Sequence, residues 1–476
     1  MKKYSPLAFL FSLLFAVSAY AGEGRYTLPL TGGGWSLWLD KEASWQNDRL
    51  YLPHEITDLS LLPVNTPTGG WQALNDNLDA VSVEVPGTVE EYLTTSDNPR
   101  PEDFKGVSWW YRKITIPADQ ANKRHLIYFE SVRMRAEVYL DGKLVAYDLI
   151  GETPFHVDIT KEAKPGTEQL LAVRVTNPGG NFHWQDFDIQ KWGEYNIPPA
   201  RSFSGIIGRV KLESVNPVFI SDIYMQNTPE PTKVNAIISF TNETPSSVKQ
   251  DVELTVSEKN RPDKVVFRQL LKHVSFPPGK REMMIPVSVS DAKLWDLDTP
   301  ELYTNIQIKK GKNTLDRDKK NFGFRWFSAE GVGTDAVLRL NGRRVMLRSA
   351  ISWGYFPVTG LIATPEMAEK QVLTAKKLGL NMLNFHRCIG SPVVLEKTDE
   401  LGLLYYEEPG SFHSANHDPF IRTIVNEKLK RMVHRDRSHP SLIIFNLINE
   451  FGGPLSRDKE LVAKRMNDMR EAHAVD

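Results

Sequence analysis

The chain has 476 residues, too many for one ordinary hydrophobic core, so about three domains are expected. Apolar residues make up 41% and charged residues 25%, which is typical of folded soluble proteins and excludes a largely disordered chain. Lys+Arg is 58 and Asp+Glu is 59, so no basic surplus favours nucleic acid or an anionic membrane as a partner.

Residues 1–21 have the pattern of a secretory signal peptide. Two lysines at the start precede a nearly unbroken apolar run from Leu7 to Val17, and Ala-Tyr-Ala at 19–21 fits a small-x-small cleavage site. The apolar run is short for a membrane span, and no cysteine follows it to carry a lipid anchor. We therefore expect a periplasmic or secreted protein with no membrane insertion after cleavage.

Residues 22–215 are predicted to form β-structure. The predicted strands, rich in β-branched and aromatic residues, are WWYRKITI (109–116), HLIYFESV (125–132), AEVYLDGKLVAY (136–147) and LLAVRVTN (170–177). Asp141-Gly142 lies between two such runs and predicts a tight hairpin turn. Many short strands without a convincing helix indicate an antiparallel sandwich or a jelly roll.

Residues 216–327 are also strand-like, with Pro, Gly and Asn-rich turns between the runs. The predicted strands are VNAIISFTN (234–242), QDVELTVSE (250–258), KVVFRQLLKHVSF (264–276) and REMMIPVSV (281–289). Their length and spacing fit an immunoglobulin-like β-sandwich, although no Cys…Trp…Cys pattern accompanies them.

Residues 328–476 change to an alternation of strands and helices. Thr364-Pro365, Ser391-Pro392 and Asp418-Pro419 each combine an N-cap residue with proline at the first helical position, and Gly379 and Gly402 are placed as C-caps. The apolar runs are RVMLRSA (344–350), LNMLNFH (380–386), LLYYEE (403–408) and SLIIFNL (441–447), and a final helix is expected from about Arg457 to Ala472. This pattern predicts parallel strands covered by helices on both faces.

Polar side chains stand at the ends of three consecutive predicted strands. They are Asn384, His386 and Arg387 on the second strand, Glu407 and Glu408 on the third, and Asn449 and Glu450 on the fourth. In a parallel β/α array the carboxyl ends of the strands open into the active site, so this cluster of polar residues predicts an active site at that end of the sheet.

Glu450 is the strongest catalytic candidate. A carboxyl group in a partly apolar pocket can act as a general acid, and a pair of carboxyl groups can cleave glycosidic bonds. The alternative is that Glu450 only caps the following helix. Asn449 either holds a sugar hydroxyl or satisfies backbone groups at the strand end.

The sequence predicts neither a metal nor a cofactor. His413 and His417 have metal-ligand spacing, but they lie in a predicted loop that supplies no third ligand. Cys388 is the single cysteine, so no internal disulfide can form, and no Cys-His-Asn arrangement accompanies it. No phosphate-binding glycine-rich loop is present.

MVHRDRSHPSLIIFNLINE (432–450) resembles the signature of glycoside hydrolase family 2, which includes β-galactosidases, β-glucuronidases and β-mannosidases. The signature runs through Arg-Asp, His-Pro-Ser, an apolar strand and Asn-Glu. Other stretches resemble the family's landmarks in the expected order: WWYRKITIP, VYLDGKLV, TPFHVDIT (153–160), LWDLDTPELY (294–303), FGFR (322–325) and LNGRRVMLR (340–348). The resemblance implies a jelly-roll sugar-binding domain, an immunoglobulin-like domain and a (β/α)₈ TIM barrel that hydrolyses glycosides with retention.

The same resemblance implies that Glu450 is the catalytic acid/base and that Asn449 contacts the sugar. We expect the remaining substrate contacts from the other strand-end residues: Asn384, Arg387, His386 and Glu408. The sequence departs from the family pattern twice. Phe445-Asn446 replaces Trp-Ser on the fourth strand, and Asn384 and Arg387 occupy the places of an Arg and a His on the second strand.

The roughly 140 residues after the sandwiches cannot supply eight βα units, which take about 250 residues. We therefore expect a fragment of a longer exported β-glycosidase, lacking the nucleophile of the seventh strand, or else a truncated product. The expected partner is a carbohydrate substrate, and the complete protein could form oligomers. The alternative is a secreted, non-catalytic carbohydrate-binding protein with a relic barrel.

Overall fold

A computed structural model describes residues 24–76, 78–93, 104–179, 189–198, 203–310, 313–354, 362–410, 418–451 and 454–473. The predicted signal peptide lies outside these residues, and so do His413 and His417. Within the described part of the chain, no helix is both long enough and apolar enough to cross a membrane.

The first part of the fold consists of two antiparallel sheets with a shared core. Its strands are β1 (Tyr26–Pro29), β2 (Gly32–Asp40), β3 (Val81–Val85), β4 (Gly106–Thr115), β5 (Arg124–Phe129), β6 (Arg135–Leu140), β7 (Lys143–Asp148), β8 (Phe155–Asp158), β9 (Glu168–Asn177), β10 (Gln190–Trp192), β11 (Tyr195–Ile197) and β12 (Val210–Val215). One sheet has the order β1-β12-β5-β8 and the other β3-β2-β4-β9-β6-β7, while β10 and β11 form a separate hairpin. Helices are short here: α1 (Ala73–Asp76), α2 (Val89–Leu93) and the 3₁₀ turns Pro53–Glu55, Leu59–Leu61 and Ala118–Gln120.

Both sheets contribute to one apolar core, which includes Trp35 and Trp110 from the larger sheet and Ile127 and Phe129 from the smaller. The predicted hairpin turn is confirmed between β6 and β7. Asp141 and Gly142 have φ values of 48° and 79°, and the tight turns that match strand twist need such positive values.

The second part also consists of two antiparallel sheets. Its strands are β13 (Val218–Asn227), β14 (Lys233–Asn242), β15 (Val248–Glu258), β16 (Arg261–Phe276), β17 (Gly279–Ser288), β18 (Tyr303–Lys310) and β19 (Asn313–Asp318). The orders are β13-β14-β17 and β16-β15-β18-β19, with a common core that includes Ile238, Val252 and Phe276. The four strands predicted for this region from the sequence are confirmed.

The third part combines a small antiparallel sheet with a parallel one. The elements are β20 (Phe327–Glu330), β21 (Val337–Leu340), β22 (Arg343–Arg344), β23 (Ser349–Ser352), α3 (Pro365–Lys377), β24 (Met382–Phe385), α4 (Pro392–Leu401), β25 (Leu404–Glu407), α5 (Pro419–Asp436), β26 (Leu442–Phe445), α6 (Pro454–Arg457) and α7 (Lys459–His473). Strands β23 to β26 pair in parallel in chain order, and side chains from α3 and α4 pack against β24 and β25.

The structure corrects two details of this region. The run 344–350 is not the first parallel strand, because Asn341 and Gly342 turn with positive φ and fold β22 back on β21. Parallel pairing therefore starts only at Ser349. Among the described residues, helices also do not cover both faces of β23. Ile351 is 53% exposed, since it faces away from the side on which α3 and α4 pack.

Two of the three predicted N-cap residues accept the expected hydrogen bond at the start of their helix. Thr364 Oγ1 accepts from Met367 N at 3.2 Å, and Asp418 Oδ1 accepts from Phe420 N at 2.9 Å. Ser391 has the extended N-cap backbone but makes no capping hydrogen bond. Gly402 ends α4 in the left-handed conformation at φ 74°.

Gly402 also lies against the second part of the fold, whereas Gly379 after α3 does not. A Cβ built on Gly402 would be 2.3 Å from Leu297 O, but a Cβ on Gly379 would meet nothing within 4 Å. Both residues have positive φ. Alanine at either position carries the left-handed penalty of about 1–2 kcal/mol, and only Gly402→Ala adds a collision with backbone.

We therefore expect Gly402→Ala to lower the free energy of unfolding clearly more than Gly379→Ala does. Urea denaturation followed by circular dichroism measures both variants against the parent chain. Equal losses for the two variants would show that the contact with Leu297 is not as close as described.

Candidate active site

The carboxyl ends of β24, β25 and β26 bring most of the predicted site residues to one edge of the parallel sheet. The pairing sets Asn384 beside Tyr406, and Glu407 beside Phe445. His386 and Arg387 follow β24 directly and Glu408 follows β25, whereas Asn449 and Glu450, predicted at a strand end, lie four and five residues beyond the end of β26. Arg387 contacts both Glu408 and Glu450, and His386 contacts Glu408, as parallel strands that open at one edge lead us to expect.

Glu408 joins three loops at this edge. Its side chain is fully buried; Oε1 accepts from Arg387 N at 2.7 Å and Oε2 accepts from Asn446 Nδ2 at 3.1 Å. His386 Nδ1 lies 3.6 Å from Oε1. Burial raises the pKa of Glu408 to about 7, and the hydrogen bonds from Arg387 and Asn446 oppose that rise only in part. Glu408 thus holds neighbouring residues in place and offers no open surface to a ligand.

His386 and Arg387 pack around Trp353, which follows β23. The His386 ring meets the Trp353 ring edge to face with centroids 4.5 Å apart, and the Arg387 guanidinium lies 5.6 Å from the Trp353 centroid. Arg387 has a φ of 56°, the left-handed conformation, and its N–H points at Glu408. The loop after β24 is therefore fixed by both aromatic packing and charge.

Glu450 is the solvent-exposed carboxylate among the residues at this edge of the sheet. Its side chain is 60% exposed, and Oε1 lies 3.4 Å from Arg387 Nη2. Its φ of 52° marks a sharp turn five residues after the end of β26. The exposed carboxylate can exchange a proton with a bound molecule, and the guanidinium beside it can orient both groups.

Two amide side chains near this edge have unused hydrogen-bonding capacity. Asn449 is 8% exposed, and its Nδ2 has no hydrogen-bond partner among the described residues. Asn384 Oδ1 is also buried without a partner in that part of the chain. Asn384 belongs to β24 itself and shares the face of Ile351 and Tyr406, three residues before Arg387. Both amides could bind hydroxyl groups of a ligand.

Glu407 belongs to a separate, fully buried ion cluster. Its Oε1 accepts from Gly390 N at 2.6 Å and lies 3.3 Å from Arg435 Nη2, while Arg435 binds Asp436 at 2.6 Å. Burial first, and then the negative charge of Asp436, raise the pKa of Glu407 well above its usual range. Glu407 is therefore structural, although it stands beside Glu408 in the sequence.

The His-Pro-Ser segment before β26 has a structural role at the opposite end of the strands. His439 Nδ1 lies 2.6 Å from Asp399 Oδ2, and Ser441 Oγ donates to Asp399 Oδ1 at 2.6 Å. Asp399 belongs to α4, so these bonds attach the start of β26 to a helix on the sheet.

Sequence reasoning missed three contributors to the site: Asn446, Trp353 and Arg435. Asn446 was visible only as a departure from the family pattern, and Arg435 as part of the Arg-Asp pair in the signature. Trp353 gave no signal, because a single aromatic residue after a strand is ordinary. Cys388, which follows Arg387, is half-buried and belongs to no disulfide.

Comparisons with known proteins point to one family. Residues 71–198 match the sugar binding domain of glycosyl hydrolases family 2, and residues 218–325 match the domain described as glycosyl hydrolases family 2. Both matched segments precede the parallel sheet.

Relatives in sequence and in structure carry related names. A putative β-glucuronidase of Formosa agariphila is 26% identical over 428 residues, which are 86% of this chain and 45% of that protein. A β-galactosidase of Thermoanaerobacter pseudethanolicus is 28% identical over 383 residues, which are 79% of this chain and 48% of that protein. The chain thus spans a little under half the length of these relatives.

The fold is similar to that of a β-glucuronidase from Ruminococcus gnavus that was solved in complex with D-glucuronic acid. The TM-score is 0.68 at 20% identity, and the match covers 95% of this chain and 71% of that one. At this identity the likeness is one of fold.

The buried carboxyl of Glu408 should make stability depend on pH. Its pKa in the folded protein is about 7, above the 4.5 of an exposed glutamate, so its protonated form contributes stability that is fully present below about pH 4.5. That contribution is lost as the pH rises through 7. Between pH 5 and pH 8 the free energy of unfolding of the parent chain should fall by up to about 3 kcal/mol more than that of Glu408→Gln.

Urea unfolding at several pH values measures this difference. Glu460→Gln, which changes an exposed helix-surface carboxylate, is the matched control and should retain the pH dependence of the parent chain. Parallel profiles for the parent chain and Glu408→Gln would contradict the description of Glu408.

Proposed function

The chain belongs to glycosyl hydrolases family 2, and from this premise we propose that the complete protein is an exported retaining β-glycosidase. It hydrolyses O-glycosidic bonds of oligosaccharides or glycoconjugates. The export part of the proposal rests on the signal-peptide pattern of residues 1–21.

The observation that carries the proposal is the contrast among the strand-end carboxylates. The side chains of Glu407 and Glu408 are 0% exposed, whereas that of Glu450 is 60% exposed. Glu450 is therefore the carboxylate that can reach a glycosidic oxygen, and we assign it the acid/base role. Asn449, Asn384, His386 and Arg387 are the proposed sugar contacts, and Glu408 positions His386 and Arg387.

In this proposal residues 22–215 form a jelly-roll sugar-binding domain, residues 216–327 an immunoglobulin-like domain, and residues 328–476 the first part of a (β/α)₈ barrel. The four parallel strands in chain order, with helices between them, support the barrel. The two pairs of antiparallel sheets, each with its own core, support the sandwiches.

Retention needs a second carboxylate about 5–5.5 Å from the acid/base. Glu407 and Glu408 are both buried and already accept hydrogen bonds, so neither is free to attack an anomeric carbon. We assign the nucleophile to a residue outside the described part of the chain. The names of the relatives support substrates that are β-glycosides of a hexose or a hexuronic acid.

In the complete protein, Glu450→Gln should slow hydrolysis of substrates with poor leaving groups by about 10²–10⁴-fold, since the amide cannot transfer a proton. Activated aryl glycosides need little acid assistance, so their glycosylation step should slow much less. Steady-state kinetics on an alkyl and a nitrophenyl glycoside of the same sugar measure the two effects.

The matched control for this experiment is Glu460→Gln, which removes an exposed carboxylate from helix α7. It should leave both rates unchanged. Unaltered turnover of both substrates by Glu450→Gln would remove Glu450 from the acid/base role.

Residues 22–476 alone should not hydrolyse glycosides, because Glu450 has no accessible carboxylate partner among the described residues. Nitrophenyl β-glycosides of galactose, glucuronic acid, mannose and glucose test this expectation. Turnover that disappears in Glu408→Gln would show that the buried carboxylate is the nucleophile after all. An inactive complete protein that still binds these sugars would favour the non-catalytic alternative.

A further inference from the structure

A large cleft lies where the three parts of the fold meet. Its volume is about 610 Å³, and its wall combines residues of β1, β5 and β12, of the segment after β19, and of helices α4 and α5. It shares Arg435 with the buried ion cluster of Glu407, but none of the proposed sugar contacts is among its described lining residues. The proposed glycosidase reaction therefore makes no use of this cleft.

The carboxylates in the wall of the cleft already have partners. Each of the four contacts a cationic or histidine side chain, so the wall offers little uncompensated negative charge. The pairs are Glu130 and Glu396 with Arg209, Asp436 with Arg435, and Asp399 with His439, at 2.6–2.7 Å.

Two lysines of the wall lack such a partner. Neither Lys319 nor Lys320 has a carboxylate oxygen within 4 Å of its Nζ in the described part of the chain, whereas every other lysine and arginine of the wall has one. Lys320 Nζ donates to the neutral Arg435 O at 3.0 Å. Lys320 is half-buried, and burial lowers its pKa. An anion beside Lys320 would stabilise its charged form.

Further donors line the same cleft. The Tyr128 hydroxyl makes no hydrogen bond to a described residue. Burial and the charge of Glu130 raise the pKa of Tyr128, while Arg435 and Arg209 oppose the rise, so both guanidinium groups lie close enough to act on the hydroxyl. These arginines bind their carboxylates through Nε and Nη2, and the Nη1 of each makes no hydrogen bond among the described residues. The cleft thus has donors in excess of acceptors.

We propose that this cleft binds a tetrahedral oxyanion, a phosphate or sulfate group, at the junction of the three parts. Such a group carries several acceptor oxygens, and the side chains of arginine and lysine are its common partners in proteins. Lys320 belongs to the second part of the fold, Tyr128 and Arg209 to the first, and Arg435 to the third. An anion that bridges them would connect all three parts, and this role is independent of the reaction at the strand ends.

Isothermal titration of residues 22–476 with inorganic phosphate and with inorganic sulfate, at constant ionic strength in chloride, tests the proposal. At least one of these ions should bind saturably with a Kd of about 0.1–5 mM. Direct binding is measured because both ions also stabilise proteins generally through exclusion from the surface. Glucose 6-phosphate and glucose 6-sulfate distinguish the sources of the group. Tighter binding of an ester than of the inorganic ion would assign the site to an esterified ligand, and weaker binding would assign it to the inorganic ion.

Two substitutions locate the anion. Lys320→Gln removes the ammonium charge but keeps a donor for Arg435 O, and it should weaken binding at least about tenfold. Tyr128→Phe removes one hydroxyl and should weaken binding about threefold to tenfold. Lys272→Gln is the matched control, because Lys272 is an exposed lysine of the second part that does not line the cleft. It should bind the anion as the parent chain does.

The proposal is wrong if neither inorganic ion binds saturably, or if Lys320→Gln binds with the affinity of Lys272→Gln. Binding that is kept in Lys320→Gln but lost in Arg387→Gln would also overturn it, since the anion would then occupy the candidate active site. Circular dichroism of each variant checks that the fold is intact. If Lys320→Gln does not fold, unchanged affinity in Tyr128→Phe would contradict the proposal instead.

Discussion

The geometry of the candidate active site depends on the buried guanidinium of Arg435. It binds Asp436 through Nε and Nη2, and its Nη2 also donates to Gly390 O at 2.7 Å and lies 3.3 Å from Glu407 Oε1. One side chain from the last turn of α5 therefore fixes the end of β25 and the loop after β24. Removing one partner of a buried charge cluster costs about 3–5 kcal/mol, because it leaves a charge without compensation.

Helix α5 is in turn held by the first part of the fold. Lys428 Nζ lies 2.8 Å from Glu152 Oε2, and Arg431 Nη1 lies 2.7 Å from Asp148 Oδ1. Ile424 on the same helix is buried among apolar residues that include Ile150. Because these contacts set the position of α5, they also set the position of Arg435. The first pair of sheets thus determines the strand-end geometry although it contributes none of the proposed catalytic residues.

The three strand-end glutamates show how environment separates roles within one residue type. Glu407 is surrounded by Arg435, Asp436 and Gly390 N–H, and Glu408 by Arg387 N–H and Asn446. Both are removed from water, and burial raises the pKa of each. Glu450 remains open beside Arg387. Proton exchange with a substrate needs an accessible group, so exposure rather than residue type distinguishes the catalytic candidate.

The sequence by itself determined strands β4 to β7 and β9 of the first pair of sheets, strands β14 to β17 of the second, the order of strands and helices after residue 349, and the caps at Thr364, Asp418 and Gly402. These features follow from side-chain periodicity and from hydrogen bonds between residues close in the chain, which are local properties. The sequence also predicted Glu450 and Arg387 as site residues, because polar residues that directly follow apolar runs stand out in the sequence.

Only the tertiary structure decided that Glu407 and Glu408 are structural, that Asn446 joins two strand ends and that β22 folds back on β21. Glu407 and Glu408 are adjacent in sequence to each other but not to Arg435 or Asn446, which arrive from α5 and from the residue after β26. Burial and pKa depend on neighbours that are distant in the chain, and no local pattern encodes them. The environment that separates an open carboxylate from a buried one therefore appears only when the strands have been brought side by side.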